Sequence, residues 1–359
     1  MRKYYIDNLR SLGILLLIPY HTFMIYNGFE LFYIHGGKTV RLANDFIFLT
    51  AIWFMPLLFL ISGMSTYYSI QKRNSKMYIM ERFYKIFIPL IFGILFIVPI
   101  QTFYAEKYHN NYQGSYIHQY RLFFTKETDL TGYLGGFTPA HLWFLLYLFI
   151  ISILALPVIK KLMKVDFREI NWFNRKDRII LLFIVPFLFS AILDISGKSL
   201  GQFFTIFMLG FILAKDEEML VTIEKNRLMY FIITITTSLC LYLFYYRFGG
   251  LYGFSLKAIS YSAFRHLIMW VSLLTILGYG IKFLNNANRF SNYFTKSAFS
   301  FYIFHQSWLI LIAYYVFKWT NIILLRMVLI ILVTFILSLL TYELFRRIAV
   351  TRYMFGIKR

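Results

Sequence analysis

Cysteine is nearly absent from this sequence, and so are the patterns of metal-binding proteins. The one cysteine, Cys240, lies in an apolar run, which excludes disulfides within the chain and cysteine-rich metal sites. The seven histidines are scattered, without an HExxH sequence or a close pair of ligands beside carboxylates. We therefore predict no metal site and no permanently bound cofactor.

Charged residues are also scarce, at 15% of the chain, whereas soluble domains contain about 25%. Hydrophobic residues make up 59% and aromatic residues 21%, with 41 Phe and 29 Tyr. The apolar runs are too long to be buried in one soluble core, and the aromatic residues suit lipid-facing and interfacial positions. This composition excludes a soluble domain and predicts an integral membrane protein.

Acidic residues number 16 against 37 basic residues, which gives a formal net charge of +21. Such an excess can indicate a nucleic-acid partner. Here much of it falls in short segments between apolar runs, where basic residues orient a membrane protein. We therefore predict a lipid bilayer as partner, and no nucleic acid.

The apolar runs predict an all-α polytopic membrane bundle of about ten spanning helices. A hydrocarbon core of roughly 30 Å needs about 20 apolar residues in a helix. By this criterion the spans cover residues 8–27, 44–70, 82–104, 140–163, 178–194, 199–215, 227–246, 260–284, 296–316 and 321–345. The fifth and sixth are short and separated by Ile195-Ser196-Gly197-Lys198, which predicts a tight helical hairpin.

Basic residues between the spans predict that both termini are cytoplasmic. Of the 37 Lys and Arg residues, 25 fall on the side of the termini and 11 on the other side, and Arg10 lies inside the first span. The strongest contribution comes from the stretch between Lys160 and Arg178. The positive-inside rule then predicts an N-in, C-in, multi-pass protein of the plasma (cytoplasmic) membrane. With no linker or repeat in view, residues 1–359 are predicted to form a single domain with an outer loop at about 105–139.

Arg10 and His21 lie inside the first span, where charged and histidine side chains are costly and therefore candidates for function. Eleven residues of helix return His21 to within about 20° of the Arg10 face and raise it by about 16 Å. Asp7, one turn below, can pair with Arg10. Taken alone, Arg10 is explained equally well as a residue that snorkels to the membrane interface. His21 taken alone has the alternative of a structural hydrogen bond between helices. Together they indicate an anion site leading to a base.

Two later spans carry further histidines. His305 and Tyr302 lie midway along the ninth span, at a depth similar to His21. His141 and Trp143 open the fourth span, where an interfacial aromatic belt explains them on position alone.

Arg82 and Lys85 begin the third span, three residues apart. On an α-helix they share a face and could grip a phosphate-bearing group, although flanking basic residues are common on the inner side. In the second span, Ser62 and Gly63 are small residues that allow two helix backbones to approach closely.

These residues, in this order, resemble the acyltransferase family 3 membrane proteins, which O-acylate glycans and related molecules. The resemblance runs from about residue 4 to 345. It rests on Tyr5-Ile-Asp7-Asn-Leu-Arg10 with His21, Leu60-Ile-Ser62-Gly63, Arg82-Phe-Tyr-Lys85, His141-Leu-Trp143-Phe144 and Ser300-Phe-Tyr302-Ile-Phe-His305. The family's usual second arginine in the third-span motif is Lys85 here, which supplies charge but no bidentate fork. Pro89-Leu-Ile-Phe-Gly93 and Val98-Pro99-Ile-Gln101 look closest to the glucan-modifying branch, whose acyl group is succinyl.

The resemblance implies a membrane-embedded O-acyltransferase. Its co-substrate would be acyl-CoA, entering from the cytoplasm, and its acceptor a hydroxyl of a glycan or a related molecule reached from the outer half. Arg10, Arg82 and Lys85 would bind the donor's phosphates. His21 would act as general base, and His305 or Tyr302 would polarise the thioester carbonyl or orient His21. Supporting roles would fall to Asp7, Ser62, His141 and Trp143.

An alternative function uses the same residues without chemistry. An exporter or flippase of an acylated or anionic glycan would employ Arg10 as a substrate site and His21 as a proton site. Dependence on an acyl donor distinguishes the two functions, because a transporter neither hydrolyses nor transfers acyl groups.

Overall fold

The computed structural model describes residues 3–125, 136–165 and 176–357. Within these ranges the chain is helical apart from loops and a two-stranded hairpin. The helices and strands are, in chain order, α1 (Tyr4–Met24), α2 (Arg41–Ala51), α3 (Phe54–Ile70), α4 (Ser75–Arg82), a π-helical segment (Phe83–Phe87), α5 (Ile88–Phe96), α6 (Val98–His109), α7 (Tyr116–Phe123), a 3₁₀ turn (Ala140–Leu142), α8 (Trp143–Leu162), α9 (Lys176–Leu181), α10 (Ile184–Phe189), β1 (Asp194–Ile195), β2 (Lys198–Ser199), α11 (Leu200–Lys215), α12 (Glu217–Lys225), α13 (Arg227–Phe248), α14 (Leu256–Phe283), α15 (Arg289–Trp319), α16 (Ile323–Phe345) and α17 (Ala349–Met354).

Seven helical stretches among the described residues are long and apolar enough to cross a membrane. They are Arg41–Ile70, Ser75–His109, Ala140–Leu162, Arg227–Phe248, Leu256–Phe283, Arg289–Trp319 and Ile323–Phe345. Each coincides with a predicted span, so the all-α class and the polytopic membrane character are confirmed. The first predicted span falls on α1, which is not among these seven stretches. Its Asp7, Arg10 and His21 lower the hydropathy of the helix. The total of ten spans and the N-in, C-in orientation stay predictions.

The fifth and sixth predicted spans fall on two shorter apolar stretches, Arg178–Phe189 and Leu200–Lys215. Between them the chain does reverse, but through a β-hairpin rather than directly from helix to helix. β1 pairs with β2 in antiparallel register, and the turn residues Ser196 and Gly197 have φ values of 53° and 73°. Two positive φ values are the requirement of a type I′ turn, whose twist matches that of the flanking strands.

The described chain forms two compact units. The first comprises Met1–Arg10, Leu49–Tyr78 and Ile150–Asn288, and the second comprises Ser11–Phe48, Ile79–Phe149 and Arg289–Arg359. α1, α2, α4 and α8 each contribute residues to both units. Part of the predicted outer loop, residues 126–135, and residues 166–175 of the basic stretch lie outside the described residues.

In the first unit, α3 and α11 pack with their backbones in contact. A methyl group on Gly63 would collide with the carbonyl oxygen of Phe207, and one on Gly210 would collide with the carbonyl oxygen of Leu60. Phe59 and Phe203 stack beside this crossing with 4.5 Å between ring centroids. The predicted close approach of backbones at Gly63 is therefore confirmed, because only glycine leaves room for it.

Polar side chains cap the ends of helices in the first unit. Asp216 is the N-cap of α12 and accepts hydrogen bonds from the backbone N–H groups of Glu218 (3.0 Å) and Met219 (3.2 Å). Lys215 donates to the carbonyl oxygens of Leu162 (2.5 Å) and Met163 (3.2 Å), at the end of α8. These contacts satisfy backbone groups that have no partner inside the helix, and a lysine also suits the negative end of the helix dipole.

In the second unit, α15 packs against α6 and α16. The Ser307 hydroxyl donates to the carbonyl oxygen of Ile97 (2.9 Å), and the Trp308 indole donates to Thr341 (3.0 Å). The 3₁₀ turn Ala140–Leu142 lies against α5, where Gly93 leaves room for the Leu142 side chain. This packing holds α15 against α6 and the 3₁₀ turn against α5.

Candidate active site

Three histidines of the second unit, His21, His141 and His305, form a histidine cluster. The ring centroid of His305 lies 5.4 Å from that of His21 and 5.2 Å from that of His141. His305 is fully buried and His141 is 6% exposed. The three rings come from α1, the 3₁₀ turn and α15, so that three segments distant in sequence supply the cluster.

The tautomer of His305 follows from its neighbour on α15. Its Nδ1 lies 2.7 Å from the carbonyl oxygen of Tyr302, which can only accept, so Nδ1 carries the proton. Nε2 of the neutral ring is then a lone-pair acceptor, and it is buried with no hydrogen-bond partner among the described residues. His305 can therefore accept a proton at Nε2.

His21 also contributes a buried nitrogen to the cluster. Its Nδ1 is buried and has no hydrogen-bond partner within the described part of the chain. Phe32 stacks on the imidazole with 5.8 Å between centroids and an interplanar angle of 11°. Because buried polar atoms are almost always hydrogen-bonded, two such nitrogens in neighbouring rings indicate a site for proton transfer rather than a structural contact.

His141 differs from the other two because both of its nitrogens are engaged. Nε2 donates to the carbonyl oxygen of Ile303 (3.0 Å), and Nδ1 pairs with the Gln101 amide nitrogen (3.1 Å). The Tyr302 hydroxyl donates to the backbone carbonyl of His141. The ring is thus part of the buried core and not of an exposed aromatic belt.

Trp143, predicted to support the site, packs against Tyr147 with 5.3 Å between ring centroids. The neighbouring Phe144 contacts Tyr302 at 5.8 Å. Phe144 thus contacts a ring that adjoins the histidine cluster.

Among residues 3–125, 136–165 and 176–357, no group of three or more His, Cys, Asp or Glu side chains is arranged to hold a metal ion. His141 could become a ligand only by breaking its bond to Ile303 or to Gln101. The arrangement instead suits the uptake and release of protons.

Arg10, Asp7 and Ser62 lie in the first unit. Arg10 pairs with Asp7 at 3.4 Å, as predicted, and also donates to the Ser65 hydroxyl. Ser62 donates to the carbonyl oxygen of Leu58 (2.7 Å) in its own helix. Sequence reasoning missed Ser65, although its three-residue spacing from Ser62 on a helix was the available signal.

Arg82 and Lys85 lie in the second unit, where the structure corrects their predicted geometry. Lys85 belongs to the π-helical segment Phe83–Phe87, and Arg82 immediately precedes it. The prediction of one shared face assumed α-helical spacing, whereas the wider π turn rotates Lys85 away from the α-helical position. Lys85 forms an ion pair with Glu81 and is half-exposed.

Gln101 was missed as a site residue. It is fully buried on α6 and forms a hydrogen bond with His141. It lies 16 residues beyond Lys85, which corresponds to roughly 24 Å along the helical stretch. The available signal was an uncharged amide inside a predicted span, since buried polar groups in membrane helices are costly and often functional.

A comparison with protein families finds a match over most of the sequence. A family model described as an acyltransferase domain matches residues 3–343, nearly the whole chain. No curated protein and no solved structure matches. The matched range includes Arg10 near its start and the three clustered histidines.

Proposed function

The chain belongs to this acyltransferase family and is a multi-pass membrane acyltransferase, and we propose that it O-acylates a glycan or a related envelope molecule. The donor is cytoplasmic acyl-CoA carrying an acetyl or succinyl group, the acceptor is a hydroxyl, and the membrane is the plasma membrane. The observation that carries the proposal is the His21–His305 pair, in which two buried imidazole nitrogens have no hydrogen-bond partner among the described residues.

The reaction requires a base, because a neutral hydroxyl is a weak nucleophile toward a thioester. In the proposed step, His21 takes the proton as the hydroxyl oxygen attacks the acyl carbon. The new C–O bond forms, the C–S bond breaks, and the imidazolium returns the proton to the leaving thiolate of CoA. The products are the ester and free CoA.

His305 is better suited to assist His21 than to polarise the thioester. Its one proton is already donated to the carbonyl oxygen of Tyr302, so the neutral ring offers no donor to a substrate carbonyl. The Tyr302 hydroxyl is likewise donated to the backbone of His141. We therefore assign to His305 the role of a second proton acceptor beside His21, and to Tyr302 the role of holding the cluster together.

The donor's phosphates call for cations at the cytoplasmic mouth. Arg10 has the planar fork that binds phosphate in a bidentate manner, and Asp7 and Ser65 hold that fork in place. Arg82 and Lys85 supply further positive charge in the π-helical region, and π-helical turns are frequent at functional sites. These assignments rest on charge and on the family resemblance.

Acyl transfer is testable with purified protein in nanodiscs. Cys240 is the one thiol of the protein, so the Cys240→Ser variant gives a thiol-free background for detecting free CoA. With acetyl-CoA or succinyl-CoA and glucan oligosaccharides, we expect CoA release matched by acylated oligosaccharide in mass spectra. If neither donor is consumed, the proposed donor is wrong. If envelope glycans of cells with and without the protein have the same masses, the proposed acceptor is wrong.

A further inference from the structure

Gln101 uses every hydrogen-bonding atom of its side-chain amide. Its nitrogen contacts His141 Nδ1 (3.1 Å) and the Ser307 hydroxyl (2.8 Å), and its oxygen accepts from the Gln306 amide (3.0 Å). Gln101, Gln306 and Ser307 are all buried. The Gln101 amide is therefore held rigidly, because any rotation of it breaks several of these three bonds at once.

The orientation of the Gln101 amide follows from Ser307. The single hydroxyl proton of Ser307 goes to the carbonyl oxygen of Ile97 (2.9 Å), so toward Gln101 this hydroxyl can only accept. The amide nitrogen of Gln101 must then face Ser307, and the same NH₂ group donates its other proton to His141 Nδ1.

This orientation fixes the charge of His141. Its Nδ1 accepts from Gln101, and its Nε2 donates to the carbonyl oxygen of Ile303. A second proton on the ring would point an N–H group at the NH₂ group of Gln101, donor against donor. Gln101 therefore holds His141 as the uncharged Nε2–H tautomer.

The charge of His141 matters because of what faces it. His305 and Tyr302 face the ring from α15, at 5.2 Å and 5.8 Å between centroids, and His21 interacts with it electrostatically from α1. From α6 it meets the uncharged Gln101. A positive His141 would repel any proton that His21 or His305 takes up, since opposition between like charges is strong in a buried site.

We propose that Gln101 is a positioning residue that keeps His141 uncharged, so that His21 and His305 can accept the proton during acyl transfer. This rests on the proposed function. It adds a residue on α6 that acts on the reaction through His141 without touching the substrate.

The test compares Gln101→Leu with Gln306→Leu. Both substitutions are identical in chemistry, lie in the same buried network and remove a bond of that network, but only the first frees His141 Nδ1. We expect the acidic limb of the kcat–pH profile to move to higher pH in Gln101→Leu, because His141 can then become charged as the pH falls. A displacement of one pH unit lowers kcat about tenfold on that limb. The donor KM should stay within about twofold of the parent value, since substrate binding is untouched.

The activity measurements can overturn the inference without touching the proposed function. Coinciding pH profiles for Gln101→Leu and Gln306→Leu would reduce Gln101 to a structural role. A parent protein that transfers no acyl group at all would instead refute the proposed function, and this is measured before any variant.

Nitrogen-15 NMR of histidine-labelled protein tests the tautomer independently of activity. The His141 signals are identified by their loss in His141→Phe. We expect the Nε2–H tautomer in the parent. In Gln101→Glu we expect an imidazolium, because the carboxylate accepts a hydrogen bond from the Nδ1–H group. An unchanged neutral His141 in Gln101→Glu would contradict the proposal even if Gln101→Leu does not fold.

Discussion

At the scale of single residues, the three clustered imidazoles differ in how many of their nitrogens are engaged. His141 has both nitrogens bonded and serves as a fixed part of the core, whereas His305 keeps one acceptor available. His21 Nδ1 is buried and has no hydrogen-bond partner among the described residues. The hydrogen-bond pattern thus separates the role of base from the role of scaffold within one residue type.

We expect His21→Ala to lower acyl transfer by about 10²–10⁴-fold, the usual contribution of a general base. His21→Gln should fail equally, because an amide preserves size and hydrogen bonding but cannot accept the proton. The measurement is single-turnover CoA release in nanodiscs, where export plays no part. His266→Ala is the matched control, since His266 is a half-buried histidine of α14 that bonds to Ser262 in the first unit. Turnover near the parent value in His21→Ala would leave the base assignment untenable.

At the scale of helices, α3 and α11 pack closely because Gly63 and Gly210 allow their backbones to touch. Gly63→Ala places a methyl group against the carbonyl oxygen of Phe207, a backbone atom that cannot rotate away. We expect a loss of about 1–3 kcal/mol of unfolding free energy, as for other overpacked sites. The loss of stability is measured as a lower midpoint of thermal unfolding in detergent, with size-exclusion chromatography as the readout.

Gly93→Ala is the control for this prediction. There the added methyl group meets the end of the Leu142 side chain, 2.5 Å away, which can adopt another rotamer. A larger loss of stability in Gly93→Ala than in Gly63→Ala would contradict the account of backbone contact.

At the scale of the whole molecule, the basic residues predict that both termini are cytoplasmic. We expect a cysteine at Lys38 or Gln113 to be labelled by a membrane-impermeant maleimide in intact cells, and a cysteine at Lys72 only after permeabilisation. All three positions are exposed, and the Cys240→Ser background removes the natural thiol. Labelling of Lys72→Cys from outside, with Lys38→Cys protected, would invert the predicted orientation.

The sequence by itself determined the class of this protein and most of its helices. Long apolar runs and scarce charge predicted spanning helices because burial in lipid and hydrogen bonding within a helix are local requirements. The helical period was sufficient to pair Asp7 with Arg10, and the small residue Gly63 was sufficient to predict a close crossing. The ordered motifs predicted the acyltransferase family, which the match over residues 3–343 confirms.

Only the tertiary structure decided how residues of different helices meet. It brought His21, His141 and His305 together, buried His141 and revealed Gln101 as its partner. It also replaced the α-helical spacing of Arg82 and Lys85 by a π turn. These features depend on which helix faces pack together, and a period read along one helix carries no information about the neighbour it will contact.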